Sequence, residues 1–152
     1  MPKRGAKKSP RVFLDSSVLV AAALSASGGS FRLLQEGNQG RLRLMTNRYV
    51  VDEVGQALSK KYPHALGRFR ALVPWACLDI AFDPPERLVA QYLAYIHPED
   101  APVCAGAIKA RANFLLTLDR KHFLGDKLAH FVSPLLILTP ADFFQRHWLS
   151  LT

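Results

Sequence analysis

The chain has 152 residues, 49% of them hydrophobic, and carries a formal net charge of +8 from 20 Lys and Arg against 12 Asp and Glu. That size suits one domain with one substantial core, and no stretch approaches the roughly 18 uncharged apolar residues of a membrane span. Cys77 and Cys104 lie far apart with no C-x-x-C pair, which argues against zinc or a disulfide framework and for two small buried hydrophobes in a reducing compartment, read here as the cytoplasm.

Residues 1–10 are basic, contain Pro and Gly and lack periodicity, so they read as a flexible arm before a single domain over 11–152. The basic start followed by VLVAAALSASGG imitates a secretory signal, but Asp15 interrupts the apolar run and leaves too short a core for one. VFLD at 12–15 is a short apolar strand ending in an acid; a helix follows to about Leu24, then a Ser/Gly break at 25–30 and a helix near 31–37. RLRLMT at 41–46 reads as a strand and Arg48 to Lys61 as an amphipathic helix closed by Tyr62-Pro63. A helix over 64–73 comes next, and Pro74 precedes a strand through WACLDIAF. Asp83-Pro84-Pro85 opens a helix running to about Ile96, and another covers about 100–111. NFLLTLD and PLLIL at 134–138 read as buried strands, and Pro140 opens a last helix containing Trp148. Strands alternating with helices over short connections predict a parallel sheet covered on both faces.

Four acids, Asp15, Glu53, Asp100 and Asp119, fall where this pattern turns them toward one crevice. Asp15 and Asp119 each close an apolar run, and strand carboxyl ends at a reversal of strand order are where open α/β sheets carry their sites. Glu53 borders the stripe of Val50, Val54, Ala57 and Leu58, whereas Asp52 points to the opposite face. Asp100 falls near the middle of the stripe of Val103, Cys104, Ala107 and Ile108. The bland alternatives are N-caps for the three aspartates and a surface ion pair for Glu53 with Lys60 or Arg48. Crowded carboxylates repel unless a cation is bound among them, so the set points to a divalent metal. Ser16, Ser17 and Thr117 accompany the acids and are expected to orient them or hold water. The histidines are scattered; His97 and His122 lie nearest the motifs, and neither is expected to act in catalysis. A basic exterior suits a polyanion.

These motifs resemble the PIN-domain ribonucleases, including the VapC-like toxins of toxin–antitoxin pairs. The resemblance runs from Arg11 to about Leu138 through VFLDSSVLVAAAL, NRYVVDEVGQAL, HPEDAPVCAGAIKA and NFLLTLDRKHF. It implies a three-layer α/β/α fold around a five-stranded parallel sheet. It also implies one active site binding Mg²⁺ or Mn²⁺ and endonucleolytic cleavage of RNA, often by a homodimer held by an antitoxin. Asp15, Asp100 and Asp119 would be the principal metal ligands and Glu53 a ligand or base. Arg120 and Lys121 stand where many relatives carry a further acid, and Arg111-Ala112-Asn113 replaces a frequent Gly-Ala-Asp. Two alternatives are a catalytically silent PIN-like module and an RNA-processing nuclease outside any toxin–antitoxin pair. Aspartyl-phosphate chemistry is disfavoured, because Ser17 occupies the position where a second acid would stand.

Overall fold

The computed structural model describes residues 8–123 and 125–151; most of the basic arm lies outside the described residues. Ser9 Oγ donates to the Gly40 carbonyl at 2.8 Å. Five strands form one parallel sheet: β1 (Arg11–Leu14), β2 (Arg43–Asn47), β3 (Asp79–Ala81), β4 (Phe114–Leu116) and β5 (Leu136–Leu138). Their order is β3-β2-β1-β4-β5. The chain moves outward from β1 to β3 and then crosses back to place β4 on the other side of β1, so the reversal point lies between β1 and β4. The expected parallel sheet flanked by helices is present.

The first helices are α1 (Ser16–Leu24), α2 (Gly29–Asn38), α3 (Arg48–Lys61) and α4 (Leu66–Trp75). Then come α5 (Glu86–Ala90), α6 (Ala101–Lys109), α7 (Arg120–Phe123), α8 (Asp126–Val132), α9 (Pro140–Phe143) and α10 (Leu149–Leu151). Helix α1 packs on α2, α3 and α4, while α6 packs on β2 and β4. Burial of Phe13, Leu14, Leu44, Leu115 and Leu116 from both sides explains why β1, β2 and β4 read as continuous apolar runs. Gly106 lets α6 come down close on this layer: a Cβ there would lie 2.4 Å from Asn47 Nδ2 and 3.1 Å from Phe13 Cζ.

The structure departs from the sequence reading in four places. Pro74 does not end the helix before it; it occupies the last turn of α4, and the following strand shrinks to Asp79–Ala81. A proline in the last turn keeps helical φ, and Arg70, whose carbonyl it leaves without a helical donor, is an exposed residue. The helix expected to reach Ile96 stops at Ala90, after which bonds such as Tyr92 N to Val89 O tighten the chain into successive turns. Helices α7 and α8 were not expected at all. Cys104 is buried as anticipated, but Cys77 is exposed.

Cys77 belongs to a recurring helix ending. At α2, α4 and α6, paired bonds close the helix, as in Leu78 N to Val73 O with Cys77 N to Pro74 O, and Ala112 N to Ala107 O with Arg111 N to Ile108 O. Each closure puts one residue in the left-handed region: Gly40 at φ 73°, Cys77 at 53° and Arg111 at 54°. Only the first is glycine. Arg111 also occupies the position where glycine is frequent in the resembling family, and its φ gives the physical reason for that preference. Arg111→Gly, which relieves the roughly 1–2 kcal/mol that an L side chain costs in the left-handed region, is expected to leave stability equal or higher, and the β-branched Arg111→Val to lower it, in urea denaturation. Equal losses in both variants would locate the effect in the side chain instead of the backbone.

Candidate active site

Asp15 follows β1 directly, and its amide still donates to Leu116 O at 3.1 Å, extending the ladder by one step. Since Leu14 pairs with Leu116 in register, the residue beside Asp15 is Thr117, not Asp119. Thr117 Oγ1 donates to Asp15 Oδ2 at 2.8 Å, and Ser17 Oγ donates to the same oxygen at 2.8 Å. Both hydroxyls are oriented by backbone amides, Asp119 N on Thr117 Oγ1 and Leu118 N on Ser17 Oγ, each at 3.0 Å. Ser16 Oγ reaches Asp15 Oδ1 only at 3.5 Å, too long for a firm hydrogen bond. One carboxylate oxygen is therefore fixed and the other is left for a ligand. Asp15 occupies the N-cap position of α1, but its side chain accepts no capping bond, which removes the bland explanation.

Asp100 behaves likewise: it is the N-cap residue of α6 without a side-chain capping bond. By contrast, Asn47 Oδ1 does cap α3 through Val50 N at 3.0 Å, while its Nδ2 donates to Pro102 O at 3.3 Å. Fully buried Asn47 thus ties the start of the helix bearing Glu53 to the first turn of the helix bearing Asp100. Tyr49 adds a second tie, its hydroxyl donating to Glu99 O at 2.6 Å.

Asp119 differs from its sequence reading, because β4 ends at Leu116 and the acid is reached over a bend. There the capping role is real: His122 N donates to Asp119 Oδ1 at 3.1 Å. Its other oxygen, Oδ2, meets His122 Nδ1 at 2.7 Å, and the same nitrogen lies 3.8 Å from Asp100 Oδ2. Asp100, Asp119 and His122 each offer a ligand atom, all within 4.8 Å of one another. His122 is the residue that sequence reasoning passed over; its i+3 spacing from Asp119 was the available signal.

All four acids line one open cavity of about 910 Å³, together with Ser16 and Ser17. Asp83, Glu99 and Asp52 join them, so Asp52 lies on the rim of this cavity and does not face away. Seven of the chain's twelve acids surround the opening, accompanied by one base, Lys60. The physical consequence shows in their proton affinities. Burial, then the charges of Asp15, Asp100 and Glu99, raise the Glu53 pKa against a lowering bond from Ser16. Burial and Asp15 raise that of Asp100, with His122 opposing. For Asp119 burial alone would push upward, but the hydrogen bonds and charge of His122 bring it below the ordinary value, and His122 itself is raised in return, first by its bond to Asp119. Tyr49 is pushed up to about 12 by burial and by Glu53, Glu99, Asp100 and Asp15.

The sequence profile of the PIN domain matches residues 11–121. The chain belongs to the PIN-domain family. No curated protein matches it by sequence, but solved PIN-like structures do by fold. VapBC2 from Rickettsia felis, solved with a DNA fragment from its promoter, superposes with a TM-score of 0.63 at 14% identity, covering 84% of this chain and 96% of that one. PAE2754 from Pyrobaculum aerophilum gives 0.61 at 17%, covering 94% and 92%. VapC20 from Mycobacterium tuberculosis, a toxin that cleaves the sarcin-ricin loop, gives 0.56 at 17%, covering 72% and 91%.

PIN nucleases as a family use divalent metals, and the residues of this PIN domain fit such an ion. The donors of the cluster are oxygens plus one imidazole, a set suited to hard or borderline divalent cations, and Asp15 lines the same cavity outside that cluster. Without a cation, Glu53 and Asp100 hold protons more tightly folded than unfolded. Their ionisation therefore weakens the fold as pH rises from their ordinary values of 4.5 and 3.8 through their raised ones. His122 acts in the same direction at higher pH: its stabilisation is complete below its ordinary 6.5 and is lost as pH passes the raised value. Metal-free protein is expected to melt highest at mildly acidic pH and progressively lower toward pH 8. Asp100→Asn should flatten that decline and raise the metal-free Tm at pH 7.5 by ~2–4 °C, the size of about 1 kcal/mol in a chain of this length. A variant that melts lower, with an unchanged pH profile, would contradict the repulsion.

Proposed function

We propose that this PIN domain, spanning residues 11–152, is a Mg²⁺- or Mn²⁺-dependent endoribonuclease. In this reading it is a cytoplasmic homodimer and the toxin of a toxin–antitoxin pair. The observation that carries the reading is the convergence of Asp15, Glu53, Asp100 and Asp119 on one cavity, with Asp15 and Asp100 turned away from the capping roles their positions offer. RNA is the substrate class because VapC20 cleaves the sarcin-ricin loop and because the exterior is basic. Antitoxin control is supported by the likeness to VapBC complexes.

Asp15, Asp100 and Asp119 would hold the cation. When bound, the ion supplies Lewis acidity that activates water and offsets charge on the phosphate. Ser17 and Thr117 lock Asp15 Oδ2, so that Oδ1 is presented in one orientation. Glu53, lining the same cavity and with raised proton affinity, is assigned as the base that would take a proton from the attacking water onto its carboxylate. Lys60 on the rim is placed to contact the RNA backbone without reading sequence.

These roles separate experimentally. Asp15→Asn and Asp100→Asn should reduce metal-dependent RNA cleavage to background and also abolish the rise in Tm on adding millimolar Mn²⁺. Glu53→Gln should lose about 10²–10⁴-fold in cleavage rate yet keep most of that rise. Cleavage persisting in both aspartate variants would overturn the reading, and a metal response in Tm without any RNA cleavage by the unmutated protein would favour a binding module. Expression should arrest growth, and Asp15→Asn should relieve the arrest.

A further inference from the structure

We propose that His122 is a nitrogen ligand of the cation, and that it makes this site favour a first-row transition ion, Mn²⁺ being the probe, over Mg²⁺. This rests on the metal-dependent reading above and goes beyond it by assigning a donor that the four acids do not include.

The argument begins with separations. Donors about 2.1–2.2 Å from an octahedral ion lie about 3 Å apart when adjacent and about 4.3 Å apart when opposite. His122 Nδ1 lies 2.7 Å from Asp119 Oδ2 and 3.8 Å from Asp100 Oδ2, and the three ligand atoms fall within 4.8 Å. A hydrogen bond to Asp119 alone would explain the first distance. The same nitrogen also faces Asp100, which comes from a different element, so two carboxylates and one imidazole converge from two parts of the chain. The backbone fixes this placement: His122 N donates to Asp119 Oδ1, so the short helix α7 delivers the imidazole to the carboxylate that caps it. The neighbouring Arg120 and Lys121 offer no carboxylate, imidazole or thiolate; the residue that completes the cluster is His122, three residues past Asp119.

The chemical consequence follows from donor type. Mg²⁺ takes oxygen ligands and water and gains little from imidazole, whereas first-row transition ions accept nitrogen readily. An all-carboxylate site would discriminate weakly between Mg²⁺ and Mn²⁺; one imidazole among the acids tips it toward the latter.

The test measures binding apart from catalysis. Mn²⁺ bound to the unmutated protein is examined by pulsed electron paramagnetic resonance for ¹⁴N modulation, and labelling with ¹⁵N-histidine should change that modulation. Dissociation constants for Mn²⁺ and Mg²⁺ are then compared by calorimetry in the unmutated protein and in His122→Ala. The expected result is a histidine-derived modulation that disappears in the variant, with Mn²⁺ affinity weakened ~10-fold or more and Mg²⁺ affinity by less than ~3-fold. Absence of ¹⁴N modulation in the unmutated protein would overturn the assignment. So would equal weakening of both ions, which would make His122 a positioning residue acting through Asp119. If the unmutated protein binds neither ion, the metal-dependent reading fails with it. The labelling arm uses unmutated protein, so it decides the question even if His122→Ala does not fold.

Discussion

The parallel pairing of β1 with β4 is the constraint on which the rest of the site depends. It sets Leu14 opposite Leu116 and therefore Asp15 beside Thr117, where a 2.8 Å hydrogen bond can form. A slip of one residue would turn every side chain of β1 to the opposite face and bury the acid in the helix layer. What holds the register is apolar burial on both faces: Val12, Phe13 and Leu14, like Leu115 and Leu116, have no exposed surface. The energy that fixes the geometry of the cavity thus comes from side chains that do not line it.

That burial also permits an arrangement that would otherwise be unfavourable. Seven acids share one opening with Lys60, while the rest of the chain carries nineteen Lys and Arg against five acids. At long range a polyanion meets positive potential; close to the cavity it meets negative charge. The two fields are compatible with an anionic substrate only when cations sit between carboxylates and phosphate. This charge pattern is one of the grounds for the metal-dependent reading proposed above.

Much of this was legible in the sequence, and the exceptions share a cause. Where burial follows a single period the reading was accurate: α3 spans Arg48–Lys61 as expected, with Val50, Val54 and Leu58 buried and Glu53 at the edge of the stripe. The segment 91–96 misled because Tyr92 and Ile96 are both buried at helical spacing although the backbone between them forms turns. Side-chain burial reports which way residues face, not which carbonyl each amide finds. Asp119 was placed at a strand end because the apolar run continues through Leu118, yet Leu118 is exposed and the strand has already ended. Arg111 gave no local signal, since only the three-dimensional closure of α6 demands a left-handed residue there. Asp52 lies on the cavity rim because the cavity extends along α3 beyond the face a helical projection assigns to it.

Asn47 shows how the separate parts become one site. Its carbonyl oxygen caps α3 and its amide reaches Pro102 in the first turn of α6, while the missing side chain of Gly106 leaves room for that amide. This buried side chain, with the Tyr49–Glu99 bond beside it, sets where Glu53 and Asp100 stand relative to each other, although the two acids repel. A surface contact could not do this, because repulsion between half-buried carboxylates would simply spread the helices. A fully buried amide with both ends engaged can, since releasing it would leave two polar groups without partners in the core. The cost of separating the two acids thus falls on Asn47.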